Sequence, residues 1–337
     1  MIRYHAGATS RACSSNASLL AEIVYGAEHR RDAADPRRIV VGMPPIGDHD
    51  RESWCLPGGT VQTGWAGDIG YALGDGYLFA HLLAPEHAGT SLAELTRDAY
   101  RRLLAFVRDG PCPELFRVWN HLARINADEQ GMERYQAFCK GRAEAFAEAG
   151  IPARRFPAAT AIGSRAPGLS VHLLAGSRPG EPIENPRQLS AYRYPPPYGP
   201  RSPTFARAID YSGPRGGWEL AISGTASIVG HVTMHPMNLD LQLRETVRNL
   251  HMLIAGAGLA ARPRRGSSLL LKVYLRDPSR VPRVEPVLRG WAGPEAQIMF
   301  LQGAICRREL QIEIEGHCSV PSCAGPEPRP AAEPTQE

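Results

Sequence analysis

GWELAISGTAS (residues 217–227) is followed by NLDLQLRETVRNLHMLIAGAGL (238–259), SSLLLKVYLRD (267–277), RVEPVLRGWAG (283–293) and LQIEIEG (310–316). Read for hydrophobic period, these segments give strand, helix, strand, short helix and strand. Mixed strands with helices packed on one face describe an α+β fold. In the last strand Leu310, Ile312 and Ile314 alternate with Glu309, Gln311, Glu313 and Glu315, so the acidic side chains share one face. If that face meets solvent the glutamates are ordinary surface, the reading expected for Glu309 and Glu315. If it meets a pocket, a carboxyl there can do proton chemistry.

Upstream, LFRVWN (115–120) reads as a strand leading into DEQGMERYQAFCKGRAEAFAEAG (128–150). There Tyr135, Phe138, Cys139, Arg142 and Phe146 recur at helical spacings of three and four. FPAATAIGS (156–164) and LSVHLLAGS (169–177) read as a strand pair. NPRQLSAYRYPPPYGPRSPTFARAIDY (185–211) can be neither helix nor central strand at its prolines. Its tyrosines and arginines suit an ordered loop over a site, and a plain domain connector is the alternative. Residues 15–110 mix short β-like runs with the helical SLAELTRDAYRRLLAFVRDG (91–110). The expected organisation is an N-terminal α+β region (1–110), a middle unit (111–216), a C-terminal unit (217–316) and a disordered Pro/Ala/Glu-rich tail (317–337). Residues 115–180 and 217–316 each run through strand, helix and strands, as a diverged duplication would.

A chain of 337 residues, 43% hydrophobic and 21% charged, is expected to fold as a globular protein. No apolar run approaches the roughly 18 residues of a membrane span, and the N-terminus lacks a signal-like apolar core, so no membrane and a cytoplasmic location are expected. The seven cysteines form no CxxC pair and are expected to be free thiols. Of 38 basic residues only Lys140 and Lys272 are lysines, and a guanidinium suits carboxylate ligands. No compact basic block is interleaved with aromatics, which disfavours nucleic acid. GxSxG, P-loop and GxGxxG motifs are absent. His231 and His235 stand four apart, but their β-branched, glycine-rich surroundings read as strand and turn, so no metal is expected. Gly224 suggests a backbone that must be approached closely, and Cys306 reads as a packed small hydrophobe rather than a nucleophile.

ERYQAFCKGRAEAF (133–146), FPAATAIG (156–163), NPRQLSAYRYP (185–195), YGPRSPTFARA (198–208), SGTASIVGH (223–231) and CRRELQIEIEG (306–316), in this order, resemble the chorismatase family. The resemblance is good over residues 115–316 and weak over the first hundred. It implies a RidA/YjgF-like fold, with the middle and C-terminal units as its RidA-like parts, and an enzyme that removes pyruvate from chorismate without a cofactor. It also implies that Glu313 is the catalytic acid and that Tyr135, Arg142, Tyr194 and Arg207 hold the substrate. Cys306, seven residues before Glu313, resembles the branch that makes 3-hydroxybenzoate. Glycine or alanine in the SGTAS region is the family's second discriminator, with Gly224, Ala221 and Ala226 as candidates.

The implied chemistry needs such a set. Chorismate carries two carboxylates, each matched by an arginine fork. Protonating its enol ether needs a carboxylic acid that keeps its proton near neutral pH, which burial and a second carboxylate both favour. The oxocarbenium ion so formed is trapped by water, giving a dihydroxycyclohexadiene carboxylate, or by the ring hydroxyl, giving 3-hydroxybenzoate. Some relatives also release 4-hydroxybenzoate. The rival readings are a RidA-like imine deaminase and a non-catalytic module that binds an aromatic or dicarboxylate metabolite. A monomer and a homotrimer are both compatible with the chain length.

Overall fold

The computed structural model describes residues 3–6, 13, 17–212, 217–258 and 268–320. Helix α1 (Leu92–Arg108) starts at a capping box: the Ser91 hydroxyl accepts from the Glu94 amide while the Glu94 carboxylate accepts from the Ser91 amide at 3.0 Å. Its apolar stripe, including Leu92, Ala99, Leu103 and Val107, is buried. Helix α2 (Arg134–Glu148) crosses it at Gly141, where a methyl group would lie 2.1 Å from the Ala93 carbonyl oxygen. Only glycine permits that approach.

Both helices lie on one face of a six-stranded sheet, in the order Ala158–Ser164, Glu114–Ala123, Leu169–Gly176, Tyr77–Ala84, Ile69–Gly74, Gln62–Ala66. Glu114–Ala123 and Ala158–Ser164 run parallel, with α2 as the crossover. The segments 156–164 and 169–177 therefore do not pair with each other; each pairs with the strand between them. A seven-stranded sheet, ordered Glu181–Ile183, Ala208–Ser212, Trp218–Thr225, Ile312–Val320, Ser268–Leu275, Gln297–Gln302, Pro45–Ile46, repeats the plan. Helices α3 (Leu239–Gly256) and α4 (Val281–Ala292) cover one of its faces, and α4 bridges the parallel Ser268–Leu275 and Gln297–Gln302 strands.

Arg3–Ala6, Arg51–Leu56, Ser18–Tyr25, Arg38–Val41 and Arg30–Arg31 form a third sheet, in that order. A shared core that includes Ile23, Trp54, Phe79, Trp119, Leu270 and Tyr274 joins the three sheets. The helices stay on the outside because each carries one apolar stripe, while strands such as Glu114–Ala123 are buried on both faces.

The expected division at 110/111 falls inside the six-stranded sheet, which draws three strands and α1 from before it. Strand pairing is non-local, so segment composition does not reveal it. His317–Val320, assigned above to a disordered tail, complete the Ile312–Val320 strand; 321–337 lie outside the described residues. Cys13 and Cys55 form a disulfide, so the expectation of free thiols throughout is corrected; Cys112, Cys139, Cys306 and Cys318 are free. Spacing in sequence could not reveal the pair, whose partners lie 42 residues apart. Among the described residues no helix is long and apolar enough to cross a membrane.

Candidate active site

Where the Ala158–Ser164 edge of one sheet meets the Trp218–Thr225 strand of the other, the two are stitched by Ser223. Its hydroxyl donates to the Ala206 carbonyl at 2.6 Å and accepts from the Ala159 amide at 2.9 Å. Here the pairing of Trp218–Thr225 with Ile312–Val320 slips: Ile222 faces Gly316 and Thr225 faces Ile314, so Ser223 and Gly224 together oppose Glu315. This is a β-bulge, which bends a strand and re-aims its side chains. Beside it opens a cavity of about 250 Å³.

All seven residues implied by the resemblance line this cavity: Tyr135, Arg142, Tyr194, Arg207, Gly224, Cys306 and Glu313. Of the three candidates for the glycine or alanine discriminator, Gly224 and Ala226 line it and Ala221 lies in the inter-sheet core. The proline-rich segment forms one wall through Tyr194, Pro197, Tyr198, Pro203, Thr204 and Phe205, held by short 3₁₀ turns at Ala191–Arg193 and Pro196–Tyr198.

Glu313 is 5% exposed, and that sliver opens on the cavity. Burial and then the neighbouring Glu315 carboxylate push its carboxyl up to about 8, against the opposing pull of Arg117, Arg207 and Arg276. It is therefore a neutral acid at pH 7. Glu315 is 1% exposed, which corrects the solvated reading given to it above; Glu309 is half-buried, its Oε1 accepting from Thr233 Oγ1 at 2.8 Å. Burial alone would raise Glu315 too, but Lys272 and Arg117 hold it down to about 2. The Ile312–Val320 strand is thus covered on both faces, Ile312 and Ile314 by the helix layer and Glu313 and Glu315 by the inter-sheet interior.

Two guanidinium groups line the cavity. Arg142, from α2, lies over the rings of Tyr100 and Phe146 at 5.2 and 5.1 Å, and its Nε and Nη2 are buried without a hydrogen-bond partner. Unsatisfied buried donors are costly unless a ligand completes them. Arg207 donates through Nη2 to the Leu189 carbonyl and to Tyr194 Oη, both at 2.8 Å, while its Nε has no partner. Both arginines are thus anchored and carry spare donors.

Cys306 is set by Arg276, whose Nη2 donates to the carbonyls of Ile305 and Arg307 at 2.9 and 2.8 Å and so fixes the turn carrying the thiol. Burial and then the Glu313 charge push this thiol far up, so it stays protonated. Burial likewise pushes the Cys139 thiol up to about 12 and holds the Tyr135 hydroxyl well above its ordinary range.

Sequence reading missed Arg307, Thr160 and Asn120, which also line the cavity. Arg307 lies 4.2 Å from the Tyr198 ring centroid and donates to the His231 carbonyl and Thr233 Oγ1, both at 2.9 Å, tying the proline-rich wall to the Ile228–Val229 and Val232–Thr233 hairpin. The signal was its place directly after Cys306. His231 packs edge-on against Tyr198 at 5.5 Å, and among the described residues no group of three or more His, Cys, Asp or Glu side chains is placed to hold a metal.

The chain is similar to known proteins over most of its length. The family described as "Chorismatase FkbO/Hyg5-like, N-terminal" matches residues 52–175. A 3-hydroxybenzoate synthase of Streptomyces hygroscopicus is 42% identical over 234 residues, 66% of this chain and 68% of that protein. A chorismatase from the same organism is 36% identical over 264 residues, 76% of each chain. The crystal structure of a chorismatase superimposes with a TM-score of 0.83 at 30% identity, covering 94% of this chain and 97% of the other. The fold is that of the chorismatases, the protein is an enzyme, and the chain belongs to the chorismatase family.

Proposed function

We propose that this enzyme removes pyruvate from chorismate by acid catalysis at Glu313, with 3-hydroxybenzoate as its main product. The observation that carries the reading is one cavity holding a protonated buried carboxyl and two anchored guanidinium groups with unused donors. Arg142 and Arg207 each take one substrate carboxylate, and Tyr135 and Tyr194 supply walls and hydroxyl groups.

Glu313 gives its proton to the methylene carbon of the enol ether, which becomes a methyl group, and positive charge develops on the ether carbon and oxygen. The ring hydroxyl then attacks the neighbouring ring carbon, the ring carbon–oxygen bond breaks, and that oxygen leaves as the keto oxygen of pyruvate. The hydroxyl proton returns to the Glu313 carboxylate. The arene oxide left on the ring loses a ring proton and gains one on oxygen, giving the phenol, so no water is consumed. Opening toward the other carbon would give 4-hydroxybenzoate, and water attack on the cation would give the dihydroxycyclohexadiene carboxylate. The protonated Cys306 thiol beside Glu313 and the glycine at 224 support the water-free branch, because they shape the space around the cation. The residue roles belong to this same reading.

Incubating the purified protein with chorismate alone and separating the products tests it. The expected result is pyruvate and 3-hydroxybenzoate in equal amounts. Pyruvate from imino acids but not from chorismate would favour a deaminase, and no pyruvate from either would remove the catalytic reading.

A further inference from the structure

Behind the cavity lies a second set of charged side chains that the acid step itself does not touch. Glu315 accepts from Lys272 Nζ at 2.7 Å, from Arg117 Nη2 at 2.7 Å and from Trp119 Nε1 at 2.6 Å. Lys272 also binds Glu52 at 2.8 Å, and Glu52 accepts from Trp54 Nε1 at 2.7 Å and Tyr25 Oη at 3.2 Å. All four ionic groups are buried, and they come from all three sheets. Two cations balance two carboxylates. A third carboxylate in this layer would find both of these cations already paired.

Glu313 is that third carboxyl, two residues from Glu315 on the same face of one strand. Across the sheet Lys272 pairs in register with Glu315, whose carboxylate its ammonium binds, and Glu313 pairs in register with Tyr274, which brings it no cation. A chain of hydrogen bonds links the two sites. Arg117 Nη2 bridges Glu315 to Thr160 Oγ1, and Thr160 Oγ1 accepts from the Gly224 amide at 3.0 Å. Gly224 is the backbone against which the Glu313 carboxyl rests.

We propose that Glu315 is a positioning residue for the acid step: its fixed negative charge keeps the proton on Glu313, and its Arg117–Thr160 chain holds the Gly224 backbone against that carboxyl. This rests on the reading of Glu313 as the acid. The groups that face Glu313 from other elements are Arg117 from Glu114–Ala123, Arg207 before Ala208–Ser212, Arg276 after Ser268–Leu275, Cys306 from its turn and Tyr135 from α2. The three arginines favour the carboxylate; burial and Glu315 oppose them. Removing the Glu315 charge tips this balance toward proton loss. A buried ion pair is weak evidence for a merely stabilising role, since well-packed apolar replacements are often neutral.

The test is the pH dependence of kcat/KM for pyruvate release by wild type, Glu315→Asp, Glu315→Gln and the charge-balanced Glu315→Gln/Lys272→Met, which guards against misfolding of the single variant. The alkaline limb is expected to move down by about one pH unit in Glu315→Gln, about a tenfold loss of rate above both limbs. It should move in the same direction in the double variant and stay in place in Glu315→Asp. An unmoved limb in a folded Glu315→Gln or double variant overturns the proposal. Infrared titration of the carboxylic C=O band that disappears in Glu313→Gln reads the same proton without turnover, so the proposal is decided even if chorismate is not the substrate. A band that titrates identically in wild type and the double variant overturns it. Failure of the proposed function shows instead as wild type releasing no pyruvate, or Glu313→Gln remaining fully active.

Discussion

A methyl group on Gly224 would lie 1.9 Å from Oε1 of Glu313 and 2.9 Å from its carboxyl carbon. The atoms in the way are the far end of a flexible side chain, so Gly224→Ala is expected to fold normally while displacing the acid. Misplacing a reacting group by about 1 Å can cost on the order of 10²-fold. A fall of at least about tenfold in pyruvate release, with the thermal midpoint little changed and the product ratio altered, is expected from paired kinetic, chromatographic and melting measurements.

Glu313→Gln keeps the size of the side chain and removes its proton. Pyruvate release is expected to fall by about 10² to 10⁴-fold, the usual worth of a positioned acid. A stopped assay with excess enzyme checks this, and a rate equal to wild type would remove Glu313 from the mechanism.

The same variant should be more stable than wild type in mild alkali. Glu313 has a folded-state pKa of about 8, above its unfolded value of about 4.3. Unfolding therefore releases a proton between these values, and the carboxyl's contribution is intact below the lower one and lost as pH rises to the upper. The difference in thermal midpoint, Glu313→Gln minus wild type, is expected to grow between pH 5 and about 8 and then level off.

Activity should follow the acid form. In the free enzyme kcat/KM is expected to decline as pH rises through about 8. The bound substrate adds carboxylates near Glu313, so the limb in kcat should lie higher than that in kcat/KM. Coincident limbs, or a limb below pH 6, would contradict the assignment.

Arg142→Met removes a buried cation whose Nε and Nη2 have no partner in the protein. Charged hydrogen bonds are worth about 1.5–3 kcal/mol. KM for chorismate is expected to rise by about 10 to 100-fold, with stability unchanged or improved because an unpaired charge has left the interior.

Much of the fold was legible in the residues. The five elements read after residue 217 are all present, since each carries its own hydrophobic period, but the Gln297–Gln302 strand and the Ile228–Val229 and Val232–Thr233 hairpin between them were not read. The order of strands was not legible: 156–164 and 169–177 flank 114–123, and the 110/111 division cuts a sheet. The seven site residues were named through family likeness, and no local pattern could have gathered them from α2, the proline-rich wall, the bulge and the last strand.

The sequence by itself determined the alternation along Ile312–Gly316 and that Glu313 and Glu315 share a face; Leu310, read into the same alternation, precedes the strand and packs in the inter-sheet core instead. Only the tertiary structure decided that this face is interior, and that the two carboxyls have opposite protonation. Charge state depends on neighbours from other sheets: Lys272 and Arg117 surround Glu315, while Glu313 faces a cavity whose anchored arginines have spare donors. Lys272 and Arg117 stood in the sequence as lone charges inside apolar strands, a sign of burial that could not say which carboxylate each would meet.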